Sequence, residues 1–172
     1  ELINSLLILL VDGVVEETPT SIENIYKKYD KDFPDSESIE IKFNAIMDIV
    51  EAVYNYFNGA SGCFGNKNYF FTMYCVIANQ MYGIRNIELP RNNLFSSENI
   101  GDNLPILYNC FSQFINDFNT NIEDKDNAYG LYIEYTEFAK NHKIRTTSKN
   151  ERVQRITFLN SMIERAAAND NE

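Results

Sequence analysis

The chain has 172 residues, 44% of them hydrophobic and 13% aromatic, with a formal net charge of −10. This suits one packed domain and excludes a globally disordered chain. The acidic balance excludes a general nucleic-acid binder, because phosphate contacts need a basic face, while leaving room for a local basic patch.

The apolar spacing is helical along nearly all of the chain, and no alternating strand pattern of useful length occurs. ELINSLLILLVDG predicts a helix over 1–12, stopped by Gly13. Its apolar run, Leu6 to Val11, is too short to cross a bilayer, and no basic segment or cleavage site marks a signal peptide, so no membrane partner is expected. The chain lacks an initiator Met and begins inside a helix, which reads as a fragment of a longer protein. After Pro19, Thr20 and Glu23 have capping-box spacing, predicting a short helix over about 21–31 that ends before Pro34. A third helix is predicted from Ser36 to about Asn58, with Ile39, Phe43, Ile46, Met47, Val50, Val53, Tyr54 and Phe57 on one stripe.

The glycine-rich NGASGCFGN reads as a turn. KNYFFTMYCVIANQMYG follows; it is apolar on almost every face and belongs at the centre of a bundle. Residues 84–103, with Pro90, Asn92-Asn93 and Gly101, read as one long loop. Helices are then predicted over about 103–121, over about 126–142, and from Ser148 onward with Val153, Ile156, Leu159 and Ile163 inward. The tail 166–172 is expected to fray. The expected fold is therefore all-α, an irregular bundle of about seven helices with one long loop near 84–103.

Few residues offer chemistry. Cys63, Cys75 and Cys110 form no CxxC pair, which fits free thiols in a reducing, cytoplasmic setting. His142 is the only histidine, so no zinc set can be assembled, and no acid spacing singles out a metal site. Nothing brings His142 to Cys63 or a serine as a nucleophilic dyad. FNGASGCFGNK has glycines followed by Lys67, which could cradle a phosphate, but it lacks the spacing of a nucleotide-binding P-loop; the plainer reading is an interhelical turn. No catalytic residue and no metal ligand can be named.

The strongest lead is IRTTSKNERVQR, residues 144–155. Residues 140–165 hold seven cations against Glu151 and Glu164, a charge of +5, leaving −15 for the rest. Ser148 and Glu151 have capping-box spacing, so a helix starts there, and a helix N-terminus favours anions. Arg152 and Arg155 share a face. With Arg145, Thr146, Thr147 and Lys149 they form a candidate phosphate or nucleic-acid contact. The competing reading is that the arginines pair with this chain's own carboxylates or flank the apolar stripe.

The order of ELINSLLILLVDG, IYKKYD, NKNYFFTMYCVI and YTEFAKNHKIRTTSKNERVQRITFLNSMI resembles the helical C-terminal part of the GmrSD-type restriction endonuclease N-terminal domain family. RTT followed by RxxR is the most distinctive piece. The resemblance implies a prokaryotic, DNA-targeting, anti-phage defence protein. Its ParB-like part would carry a D-G-Q-Q-R motif for nucleotide hydrolysis, and a separate HNH nuclease domain is common. Neither motif occurs here, since Asp12-Gly13 runs into Val14-Val15, so no catalytic position carries over. The implied role is a helical accessory or sensor domain that needs no cofactor itself, in a parent using a nucleotide and a divalent metal. Its implied partners are the ParB-like and nuclease domains of that parent, and DNA. The alternative is a protein-interaction or structural helical domain with no nucleic-acid or nucleotide role; an independent hydrolase is a third, for which no acid, base and nucleophile can be named.

Overall fold

Each helix owes its limits to local signals. The computed structural model describes residues 2–33, 35–56, 66–96, 99–120 and 148–169, the side chains of 116–120 and 169 excepted. These contain six α-helices and no strand: α1 Leu2–Asp12, α2 Pro19–Tyr29, α3 Ser36–Tyr56, α4 Lys67–Tyr82, α5 Ile100–Thr120 and α6 Lys149–Asn169. The architecture is all-α, as the spacing predicts. The helix expected over 126–142 and the glycine-rich turn after Tyr56 lie outside the described residues.

α1 ends where Gly13 turns left-handed at φ +82° and returns its N–H to the Leu9 carbonyl at 3.0 Å. α2 starts two residues before the predicted position. Thr18, not Thr20, is its cap, and Ser21, not Glu23, closes the capping box. The reason is Pro19, which fits the first helical position and draws the cap to the residue before it. α4 is capped by Asn66, whose side chain accepts from the N–H groups of Asn68 and Tyr69 at 2.9 and 3.4 Å. α6 begins under Ser148. The Ser148 hydroxyl accepts from the Glu151 N–H at 3.4 Å and donates to the Glu151 carboxylate.

The helices pack around α4, which touches α1, α3 and α6; α3 also meets α1 and α5, and α5 meets α6. α4 buries Tyr69 and every residue from Phe71 to Gln80, consistent with its lack of a polar face. α1 is apolar on two sides. Leu6 and Leu9 join the main core, while Leu7, Ile8 and Val11 face α2 across a cleft completed by Ile25, Tyr26, Tyr29 and Phe33. α2 itself buries no residue.

α3 buries Ile39, Ile46, Val50 and Val53 of its predicted stripe and adds Ile49, but leaves Tyr54 exposed. α6 runs into the segment expected to fray, reaching Asn169 with Ala167 buried, and residues 170–172 lie outside the described residues. Its inward face is also rotated from the predicted stripe. Ile156, Leu159 and Ile163 are fully buried, Val153 only partly, and Arg152, Arg155 and Asn160 turn inward beside them.

The long connection between α4 and α5 is pinned along its length. Pro90 offers its carbonyl to three side-chain amides, Asn79 and Asn160 at 3.1 Å and Gln80 at 3.4 Å. Asn160 Oδ1 accepts from Asn79 at 3.2 Å and Gln80 at 3.1 Å, and the Asn92 N–H donates to Gln80 Oε1 at 3.1 Å. Glu164 accepts from Gln80 and Asn92. Further back, Asn86 grips Val14, accepting from its N–H at 2.8 Å and donating to its carbonyl at 2.7 Å. A Cβ on Gly13 would stand 2.2 Å from Asn86 Oδ1, so glycine is needed there for space as well as for its φ.

Candidate functional site

The basic run divides at the start of α6. Lys149 is exposed on its first turn, whereas Arg152 and Arg155 are 3% and 0% exposed. Arg145, Thr146 and Thr147 lie outside the described residues. The structure thus joins Lys67, Arg152 and, through Arg152, Arg155 in one region, with Lys149 apart on the surface.

Arg152 reaches from α6 to the connector between α1 and α2. Its Nη2 is 2.6 Å from Glu17 Oε2, and both side chains are almost fully buried. Nη1 donates to the Val15 carbonyl at 3.5 Å, and the guanidinium lies 4.4 Å over the Phe71 ring. A planar cation can use its edge for a carboxylate and its face for an aromatic ring, a combination lysine cannot reproduce. Lys67 Nζ stands 4.0 Å from the same Glu17 oxygen and remains partly exposed.

Burial alone would raise the Glu17 carboxyl. Hydrogen bonds from Arg152 and Ser5, and the charges of Arg152 and Lys67, outweigh it and hold the group below the ordinary value of 4.5. Arg155 is pushed down to about 10, first by burial and then by Arg152's charge, and so remains a cation at neutral pH. Cys75 lies in the same interior. Burial drives its thiol well up, against the opposing pull of Arg152 and Arg155. An elevated thiol is a poor nucleophile. Tyr74 is raised in the same way. Cys110 is pushed up to about 11 by burial.

The centre is only partly satisfied. Among the described residues, Glu17 Oε1 and Arg152 Nε have no hydrogen-bond partner, and neither does the Tyr74 hydroxyl, whose ring packs against Phe43 of α3. This arrangement can hold the α1–α2 connector against α4 and α6. It brings together no nucleophile, base and acid, and among the described residues no group of three metal-ligating side chains occurs.

Sequence reasoning singled out both arginines but not Glu17 or Phe71. Glu17 is one of 25 acids and lies far from Arg152 in the chain, so only the approach of α6 to the α1–α2 connector reveals the pair. Asn86 and the Asn79, Gln80 and Asn160 cluster were equally hidden; the one available signal was three amide residues on helices otherwise rich in apolar side chains. Cys75 and Cys110 are free and buried, and Cys63 lies outside the described residues. Among the described residues no helix is long and apolar enough to cross a membrane. No family model matches the chain, and no match is found among curated proteins or solved structures.

Proposed function

We propose that this chain is a helical accessory domain that acts by docking to protein and has no reaction centre of its own. The observation that carries this reading is the placement of Arg152. The central cation of the only basic run is engaged by Glu17 inside the fold, where it braces a connector and does not face an incoming anion. Buried charge pairs of this kind are weak evidence of high stability, but removing one partner is strongly destabilising. The sequence resemblance supports a parent of the GmrSD type, a DNA-targeting defence protein working in the cytoplasm. In that parent the ParB-like and nuclease domains would meet nucleotide, metal and DNA, and this domain would meet them.

Thermal melts and duplex-DNA titrations of the purified chain test the reading, using Arg152→Ala and the exposed Lys149→Ala. Arg152→Ala should lower the melting midpoint and leave any DNA affinity unchanged, and Lys149→Ala should alter neither. Loss of DNA affinity in either variant at an unchanged midpoint would contradict the proposal and favour a direct nucleic-acid role.

A further inference from the structure

α3 carries four acids, Glu37, Glu40, Asp48 and Glu51, against one lysine, Lys42. Lys42 lies over the Tyr82 ring at 5.6 Å, on a different part of the helix. No ion pair among the described residues uses Asp48 or Glu51. These two acids stand one turn apart, so their carboxylates project on the same face.

Beside them the α3–α4 seam opens into a groove of about 450 Å³, lined by Met47, Asp48, Val50, Glu51, Tyr54 and Phe70. Apart from the two carboxylates and the Tyr54 hydroxyl its lining side chains are apolar. Tyr54 is 44% exposed although it belongs by spacing to the apolar stripe. The shallow groove therefore pairs apolar surface with two negative charges.

We propose that this groove docks a short basic segment of a partner protein, one in which lysine or arginine side chains alternate with apolar ones. The proposal rests on the reading of the chain as a docking domain. The chemistry of the two partners matches. The aliphatic stem of a lysine or arginine lies along Met47 and Phe70, because such stems bury while their charged ends stay wet. The cation meets Asp48 and Glu51 and can sit against the Tyr54 ring. Methionine lets the floor adapt to side chains of different shape. A groove of this size takes a few side chains, not a folded surface. The net charge of −10 steers basic segments toward the chain from a distance.

The probe is a short synthetic helical peptide of leucine and lysine, with a second peptide carrying glutamate for lysine, titrated into the isotope-labelled chain by NMR. The lysine peptide should shift amide resonances around Met47–Tyr54 and Phe70, and the glutamate peptide should not. Asp48→Asn combined with Glu51→Gln should weaken binding about tenfold, and Tyr54→Ala about twofold to fivefold. Glu16→Gln combined with Glu88→Gln removes the same charge at exposed positions elsewhere and should leave the affinity unchanged. Equal weakening by this control would reduce the binding to bulk charge and overturn the groove. Shifts on another face would also overturn it while leaving the docking reading intact. Absence of any shift would overturn the groove, and the DNA titrations above would then decide the broader reading separately.

Discussion

α6 holds two connectors against the rest of the molecule, and it does so with opposite chemistries at its two ends. Near its start Arg152 holds the α1–α2 connector through an ion pair with Glu17. Near its end Asn160 and Glu164 hold the α4–α5 connector through amides and the Pro90 carbonyl. The first is charged and leaves polar atoms without partners. The second is largely neutral, and each buried amide in it has at least one partner. A buried pair concentrates its contribution in two side chains and responds to pH. The amides of Asn79, Gln80 and Asn160 and the Pro90 carbonyl spread their contribution over several groups that do not titrate, with one carboxylate, Glu164, at their edge.

The largest effect should come from breaking the charged end. Arg152→Ala leaves Glu17 buried without its main partner and should cost about 3–5 kcal/mol in urea unfolding. Arg152→Lys should recover only part, because a lysine cannot pair with the carboxylate and lie flat on Phe71 together. At the neutral end, Asn160→Ala strips a partner from Asn79, Gln80 and Pro90 and should cost about 1–3 kcal/mol. Hydrogen exchange should then accelerate selectively around Asn92, whose N–H rests on Gln80. Equal acceleration across all helices would mean that the network does not act locally on the connector.

Gly13→Ala should cost about 1–2 kcal/mol for the left-handed backbone, with further loss if Asn86 is displaced from Val14. Adding Asn86→Ala to it should relieve the clash but not the backbone cost. The smallest effect separates the two ends by pH. Glu17 is held below its ordinary 4.5 in the fold, so its contribution is present above that value and is lost as pH falls through the lowered one. The stability gap between wild type and Glu17→Gln should therefore narrow in acid, whereas the gap for Asn160→Ala, a side chain that does not titrate, should change less.

The same contrast explains what the sequence made legible. Helix periodicity placed α3, α4 and α5 closely, because their apolar residues recur at intervals that only a buried helix face requires. Ser148 and Glu151 marked the start of α6 for a local reason, as each needs only the other and the nearby backbone. Thr18 is masked by the Thr20 and Glu23 spacing, which mimics a cap, and only the position of Pro19 decides between them. Neither anchored connector has a local sequence signal. Residues 84–103 lack periodicity and read as a loop; α5 takes the last four of them, from Ile100, and the hold of Pro90 and Asn92 on α4 and α6 depends on amides brought together from distant parts of the chain. Arg152 and Arg155 stood out by charge, yet charge pattern alone does not distinguish an outward cation from one aimed at a distant carboxylate. The seven-helix expectation and the Arg145, Thr146 and Thr147 contacts extend into residues outside those described.

A double-mutant cycle on Arg152 and Glu17 measures whether the buried pair acts as one unit. Arg152→Met and Glu17→Gln should each be costly alone, and the double variant should be more stable than their summed costs require, with a coupling of about 1–3 kcal/mol. Additive costs would contradict it, because the two side chains would then not depend on each other and Arg152 would be free to serve another partner.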